Sequence, residues 1–425
     1  MRRALLLLLL VPAVGRPQAV TMAESVAVGE RSRVGLKVEL TGQVQVPGKE
    51  ARTIDLQGVS RLAYDERIVP ADDGKAVLRV YRTVEFERTI NGERQTQSIR
   101  NSVRRMVVLR SADGKKAPFS PDGPLTFGEI DAVRVDLFSP VIAAGVLPAK
   151  AVVPGDSWPI SADATLDLTG LEAIRDGKLT AKYVAAVTLG GQLKHRISIT
   201  GDVKGVGDDG PVRQSIDATA YYDPRAAKLV YLSLKGIQEL LDEKGQVVGR
   251  LTGRLTLDRG PSDSESISDA IARRIDAKPT TDNSLLLYDN RDLGLRFVYP
   301  RDWRVGAVQG TQVTVESPKA GAGLLITVEP AAKTPTAAQF LAEAKEFVAK
   351  QKGTIRGQRV PERLGDWDRF ALDVELDRQP LRMEYAVRKF DGGGATVAAR
   401  LPRTTAADQL TAVERILKEL VVDRK

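Results

Sequence analysis

Between residues 26 and 258, apolar and polar residues alternate at period two in short runs, the spacing at which successive side chains leave a strand on opposite faces. Arg33-Val34-Gly35-Leu36-Lys37-Val38-Glu39-Leu40 is one such run, and Ala76-Val77-Leu78-Arg79-Val80-Tyr81 and Arg196-Ile197-Ser198-Ile199-Thr200 are others. Asp72-Asp73-Gly74, Asn91-Gly92, Asp113-Gly114 and Gly207-Asp208-Asp209-Gly210 punctuate the runs with residues that tolerate positive φ. Together they predict an antiparallel meander. Thr126 and Glu129 stand at capping-box spacing, with Leu125 and Ile130 placed for a hydrophobic staple. A helix should therefore carry Ile130, Val133 and Leu137 on one face. Ser139-Pro140 restarts a shorter helix that Gly145 and Pro148 end, and another is expected over residues 166–174. The expected class is α+β, and the expected first domain, residues 24–258, is a long-stranded, curved antiparallel sheet with short helices on one face.

The pattern then changes. Residues 259–284 contain Gly260-Pro261-Ser262-Asp263-Ser264-Glu265-Ser266 and Ala277-Lys278-Pro279-Thr280-Thr281-Asp282-Asn283, which read as a linker with a short helix over residues 267–275. Residues 285–425 read as an antiparallel sheet flanked by two helices. Strands are predicted at 285–288, 295–299, 311–315 and 324–328, then at 368–376, 382–390 and 395–400. Thr334 with Pro335 predicts the start of the first helix, whose stripe is Phe340, Leu341, Ala344, Phe347 and Val348, and Gly353 ends it. Thr405 and Asp408 open the second, with Leu410, Val413, Ile416, Leu417 and Leu420 as its apolar face.

The beginning of the chain follows neither pattern. Met1-Arg2-Arg3 precedes an apolar run over residues 4–14, well short of the roughly 20 residues that span a bilayer. Ala13-Val14-Gly15 and, later, Thr21-Met22-Ala23 place small residues where a signal peptidase inspects the chain. This is a secretory leader, assigned to residues 1–23, and it predicts an exported protein, periplasmic or extracellular. The chain contains no cysteine, which leaves out disulfides, thiol chemistry and a lipidated N-terminal cysteine. No transmembrane helix is expected once the leader is cleaved.

Formal charge is +8, from 63 Lys and Arg against 55 Asp and Glu, with the two signs interspersed. The densest basic stretch, residues 100–116, sets Arg100, Arg104, Arg105 and Arg110 around Met106-Val107-Val108-Leu109. It reads either as a surface for an anion or as a strand with a solvated face. Aromatic interleaving is missing, which favours the strand, and export argues against nucleic acid.

Gly294-Leu295-Arg296-Phe297-Val298-Tyr299-Pro300-Arg301-Asp302-Trp303 resembles the G-x-x-F-x-Y-P-x-x-W opening of PsbP-like domains. The resemblance covers the last third of the chain, and it implies an antiparallel sheet flanked by helices and a binding or assembly role. It brings no catalytic set. The first domain loosely resembles the half-barrels of periplasmic lipoprotein carriers such as LolA. Phe119-Ser120-Pro121-Asp122-Gly123-Pro124-Leu125-Thr126 and Gly155-Asp156-Ser157-Trp158 resemble landmarks of uncharacterised exported bacterial proteins.

Candidate chemistry is sparse. His195, the one histidine, lies between Lys194 and Arg196 and is expected on an edge or exposed strand face; a relay would also need a nucleophile and a carboxylate beside it. Asp72-Asp73-Gly74 and Asp208-Asp209-Gly210 lack the alternating ligands and distant Glu of a calcium loop. Asp391-Gly392-Gly393-Gly394 lacks the Lys-Ser/Thr of a phosphate loop and reads as a hairpin. Trp158, Trp303 and Trp367 read as plugs at the edges of cores. No catalytic residue, metal ligand or cofactor is assigned, and the ligand-binding residues are left open. The leading expectation is a noncatalytic envelope protein with a binding or assembly role and an envelope protein as partner. The alternatives are a carrier holding an apolar ligand or lipid under Leu137, Phe138, Val141 and Ile142, and a hydrolase of unrecognised type.

Overall fold

The alternating runs become strands in a computed structural model that describes residues 19–24, 27–46, 52–71, 74–110, 116–134, 145–148, 150–207 and 210–423. Two units emerge from its internal contacts. One holds the described residues up to Ser98 together with Val108–Ala117 and Ala132–Ile275; the other holds Ile99–Val107, Pro118–Asp131 and the residues from Asp276 on. The fold is α+β.

In the first unit, β1 (Arg31–Val46), β2 (Arg52–Ala71), β3 (Gly74–Ile90) and β4 (Glu93–Gln97) form one antiparallel run. Within this unit, Val108–Arg110 of β5 (Arg105–Arg110) and Lys116–Ala117 of β6 (Lys116–Phe119) extend the sheet order beyond β3. β8 (Ser157–Pro159), β9 (Ala173–Leu189), β10 (Gln192–Gly207), β11 (Gly210–Asp223), β12 (Lys228–Leu241) and β13 (Val247–Pro261) form a meander. β1 pairs with β13, so the two runs join into one long sheet. The Asn91-Gly92 turn predicted from sequence closes the β3–β4 hairpin with both residues at positive φ.

Gly42 and Gly201 let neighbouring strands approach closely. A Cβ on Gly42 would stand 2.1 Å from the Arg250 carbonyl oxygen, and one on Gly201 would stand 2.2 Å from that of Lys178. Neither position admits a side chain without moving a neighbouring strand.

The expected helix over residues 166–174 lies earlier, at Ala162–Thr169. Ser161 caps it, accepting from the Ala164 amide, and Gly170 closes it in the left-handed region. The segment read as a linker is ordered in its first half. Arg259–Pro261 completes β13, Ile267 is fully buried, and the short helix Asp269–Ala272 carries an aspartate that pairs with both Arg31 and Arg67. One apolar residue and one bridging carboxylate hold a composition that otherwise reads as loop.

In the second unit the predicted capping box is present. Thr126 Oγ1 accepts from the Glu129 amide at 3.1 Å, and the Glu129 carboxylate accepts from the Thr126 amide at 2.8 Å, opening the helix Phe127–Arg134. A small sheet joins β7 (Leu125–Thr126), β14 (Leu286–Asn290), β15 (Leu295–Tyr299) and β23 (Val421–Val422). A seven-stranded sheet runs in the order β16 (Arg304–Gln309), β17 (Gln312–Ser317), β18 (Ala322–Glu329), β22 (Gly393–Pro402), β21 (Gln379–Phe390), β20 (Trp367–Leu376) and β19 (Thr354–Leu364).

The helix Ala337–Lys350 packs Phe340, Ala344 and Val348 against Phe370 and Tyr385. Its cap is Thr336, not Thr334: Thr336 and Gln339 exchange side-chain bonds with each other's amides. Phe347, expected in the stripe, is 48% exposed, whereas Phe340, Leu341, Ala344 and Val348 meet the core of the sheet. The last helix, Ala406–Glu419, begins at Thr405 and buries Val413, Ile416 and Leu417 as predicted.

Candidate functional site

Strand register defines one continuous face on the long sheet. Val34, Leu36, Val38, Leu40, Gly42 and Val44 share it on β1, because they are two residues apart. Leu36 lies opposite Leu62 and Leu257, and the row continues through Leu232, Ala220, Ile197 and Tyr183. Every member of that row is buried. Two hydrogen bonds show that helical segments cover this face. The Gln214 side chain on β11 donates to the Thr169 carbonyl at 2.9 Å, and the Trp158 indole donates to that of Val146 at 2.8 Å.

Burial weakens toward the other end of the same face. Gly42 lies opposite Leu56 and Leu251, and Val44 opposite Ile54 and Gly249. Leu40, Val44, Ile54, Leu56, Leu240 and Leu251 are all only half-buried. The face is therefore mostly apolar, with Arg88 and Gln238 as polar members; it is closed around Leu36, and at the other end it is open on β1, β2, β12 and β13 while Val203, Val212 and Gln214 on β10 and β11 stay buried.

Between the two ends sits one misfit. Ser60, opposite Val38, is 3% exposed, and its hydroxyl has no hydrogen-bond partner. A buried hydroxyl without a partner is costly and calls for a guest or a water.

Beyond the closed end the face becomes charged. Arg259, opposite Val34, pairs with Glu24 and lies 3.9 Å from Glu66, all three carboxylate and guanidinium groups being almost fully buried. Arg79 joins Glu66 at 3.3 Å across β2 and β3 and stacks 4.5 Å from the Tyr64 ring. Arg259 is held charged: burial opposes its protonation, but Glu24 and Glu66 outweigh that and raise its pKa further. Sequence alternation placed Arg259 and Glu66 in phase with apolar residues, which was the available signal. Glu24 offered none.

His195 corrects the sequence expectation. It sits on β10 between β9 and β11, not at an edge, and is 4% exposed on the covered face, in phase with Ile197 and Ile199. Its Nδ1 lies 2.7 Å from the Tyr183 hydroxyl, and the Tyr222 ring is its other aromatic neighbour. Burial lowers its pKa and so favours the neutral ring, which shares a hydrogen bond with the Tyr183 hydroxyl through Nδ1. The flanking Lys194 is occupied by Asp223. Phenols on both sides give a packed core histidine, with no relay assembled around it among the described residues.

The other sequence candidates divide. Arg100 of the basic stretch donates to Glu129 at 2.8 Å and to the Pro124 carbonyl at 2.7 Å, and Arg105 pairs with Asp122. Glu129 feels burial first, which raises its pKa, but Arg100 and two backbone amides hold it below the usual carboxylate range. Internal pairing thus absorbs two of the cations that suggested an anion surface. Asp391-Gly392-Gly393-Gly394 is the β21–β22 hairpin, and Trp158, Trp303 and Trp367 are buried plugs. Asp72, Asp73, Asp208 and Asp209, and the proposed lining Leu137, Phe138, Val141 and Ile142, lie outside the described residues. Among the described residues no group of three or more His, Asp or Glu is placed to hold a metal, and no helix is long and apolar enough to cross a membrane.

In the second unit, the G-x-x-F-x-Y-P-x-x-W residues form a packed corner. Leu295, Phe297, Tyr299 and Trp303 are buried, and Arg301 donates to the carbonyls of Ser284, at 2.7 Å, and Pro118. A cleft of about 1190 Å³ lies beside β14 and β15, where Asp289, Arg291, Asp292 and Arg296 interleave opposite charges and Arg415 pairs with Asp282.

No protein-family model matches this chain, and neither does any curated protein. Among solved structures it is similar to the cyanobacterial PsbP (CyanoP) of Synechocystis sp. PCC 6803, at 13% identity over 33% of this chain and 92% of that one, with a TM-score of 0.27. It is also similar to lipovitellin, at 10% identity over 57% of this chain and 26% of that one, with a TM-score of 0.30. A putative outer membrane lipoprotein-sorting protein domain from Vibrio parahaemolyticus matches at 9% identity over 58% of this chain and 92% of its own, with a TM-score of 0.13. These are loose resemblances.

Proposed function

We propose that this is an exported, noncatalytic protein that binds an apolar ligand on the open end of the covered face in its N-terminal unit. One observation carries the reading. The same strands that bury Leu36, Leu62, Leu232 and Leu257 completely leave Leu40, Val44, Ile54, Leu56, Leu240 and Leu251 half-exposed on the same face. A sheet face that stays apolar where its own chain does not fully cover it is suited to an apolar occupant. Ser60, buried at the margin, supplies one hydroxyl for a polar group on an otherwise apolar ligand. The leader-like beginning of the chain supports export.

A fluorescent long-chain fatty acid tests this, titrated into the purified protein. Saturable binding with one site per chain supports the reading. No saturable binding, or turnover of ester, peptide or glycoside substrates by the same preparation, would count against it.

A second reading, docking of an envelope protein, draws on the cleft beside β14 and β15, whose alternating charges suit a polar protein surface. Charge reversal at Arg296 should then weaken recovery of a crosslinked envelope partner while fatty-acid binding stays unchanged.

A further inference from the structure

The sequence offers two places for a leader peptidase to cut, after Gly15 and after Ala23, and the structure distinguishes them. We infer that processing occurs before Ala19, at the Ala13-Val14-Gly15 site, so that residues 19–24 remain as a built part of the mature N-terminal unit. This rests on the export reading above.

Four independent contacts hold that segment. Val20 and Val152 exchange both backbone hydrogen bonds, at 2.9 and 3.0 Å. Met22 is completely buried. The Ala23 carbonyl accepts from the Tyr222 hydroxyl at 2.9 Å. Glu24 accepts from the Leu229 amide at 2.9 Å with one carboxylate oxygen and pairs with Arg259 through the other.

A cut after Ala23 would undo most of this. Met22 would leave a void in the core, and the Tyr222 hydroxyl would lose its acceptor. Glu24 would become a chain end, adding an ammonium to the residue whose carboxylate neutralises Arg259, in surroundings where a second cation is strongly disfavoured. A cut after Gly15 touches none of these contacts. Hydrolysis there adds water across the Gly15–Arg16 peptide bond, leaving a carboxylate on the released leader and an ammonium on Arg16. It also places the new terminus, Arg16, four residues ahead of the first anchored position, Val20.

Expression of the full chain in a Gram-negative host, followed by fractionation, intact-mass measurement and N-terminal sequencing, tests the inference. A mature protein outside the cytoplasm that begins at Arg16 is expected, and one that keeps Met1 or begins at another residue up to Ala19 overturns the assigned site. One that begins after Ala19 overturns the inference while leaving export intact, whereas unprocessed chain confined to the cytoplasm overturns the export reading itself. Two leaderless versions provide a second readout, one starting at Arg16 and one at Glu24. The Glu24 version should melt about 10 °C lower or fail to fold. Equal melting temperatures would overturn the structural part of the inference.

Discussion

The two ends of one sheet face differ in what completes them. At the closed end, around Leu36 and Leu257, the chain supplies its own cover and finishes the face with a buried charge network. At the open end, around Leu56 and Val44, the same strands keep the same alternation without full cover. The contrast teaches that alternation specifies which side of a strand is apolar, whereas the length of chain laid over that side decides whether the apolar residues serve as core or as binding surface.

Mutations sharpen this contrast in graded fashion. The largest effect is expected from Glu24→Ala, which leaves Arg259 buried with its nearest carboxylate gone; a loss of about 3–5 kcal/mol should appear as a lowered urea midpoint. Leu257→Ala at the closed end should cost about 3 kcal/mol, the range for a fully buried leucine. The equivalent change at the open end, Leu56→Ala, should cost about 1 kcal/mol or less, since Leu56 is already half-exposed. Equal losses for the two leucines would erase the distinction.

His195 adds a pH dependence. Burial depresses its folded-state pKa, so the unfolded chain binds the extra proton first and stability grows with pH across that interval. The contribution is fully present above about pH 6.5 and is lost as pH falls through the lower folded value. His195→Phe should flatten that part of the profile, measured as urea midpoints between pH 7 and pH 5. The smallest effect is Ser60→Ala, which removes a hydroxyl that has no partner and should leave stability within about 0.5 kcal/mol while weakening a ligand that uses it.

Much of the fold was legible in local pattern. Long amphipathic strands, the Thr126–Glu129 box and the final helix all carry their information within a few residues. The strands that escaped, β16 and β19, are the two edges of the seven-stranded sheet; β19 is largely exposed, so backbone pairing to one neighbour specifies it more than an apolar rhythm does. His195 was misplaced because its cationic neighbours suggested solvent, although its phase with Ile197 and Ile199 pointed inward. The site itself was the least legible. Glu24 and Arg259 lie 235 residues apart, and half-burial of Leu40 or Leu56 depends on what covers the sheet rather than on the strand that carries it.

Hydrogen–deuterium exchange with and without the fluorescent fatty acid tests the central claim most directly. Added ligand should slow exchange in residues 40–44, 54–58 and 249–253, the strand segments of the open end, and leave the already protected closed end unchanged. Protection confined to residues 285–299, or no change in the open-end segments at saturating ligand, would contradict the account.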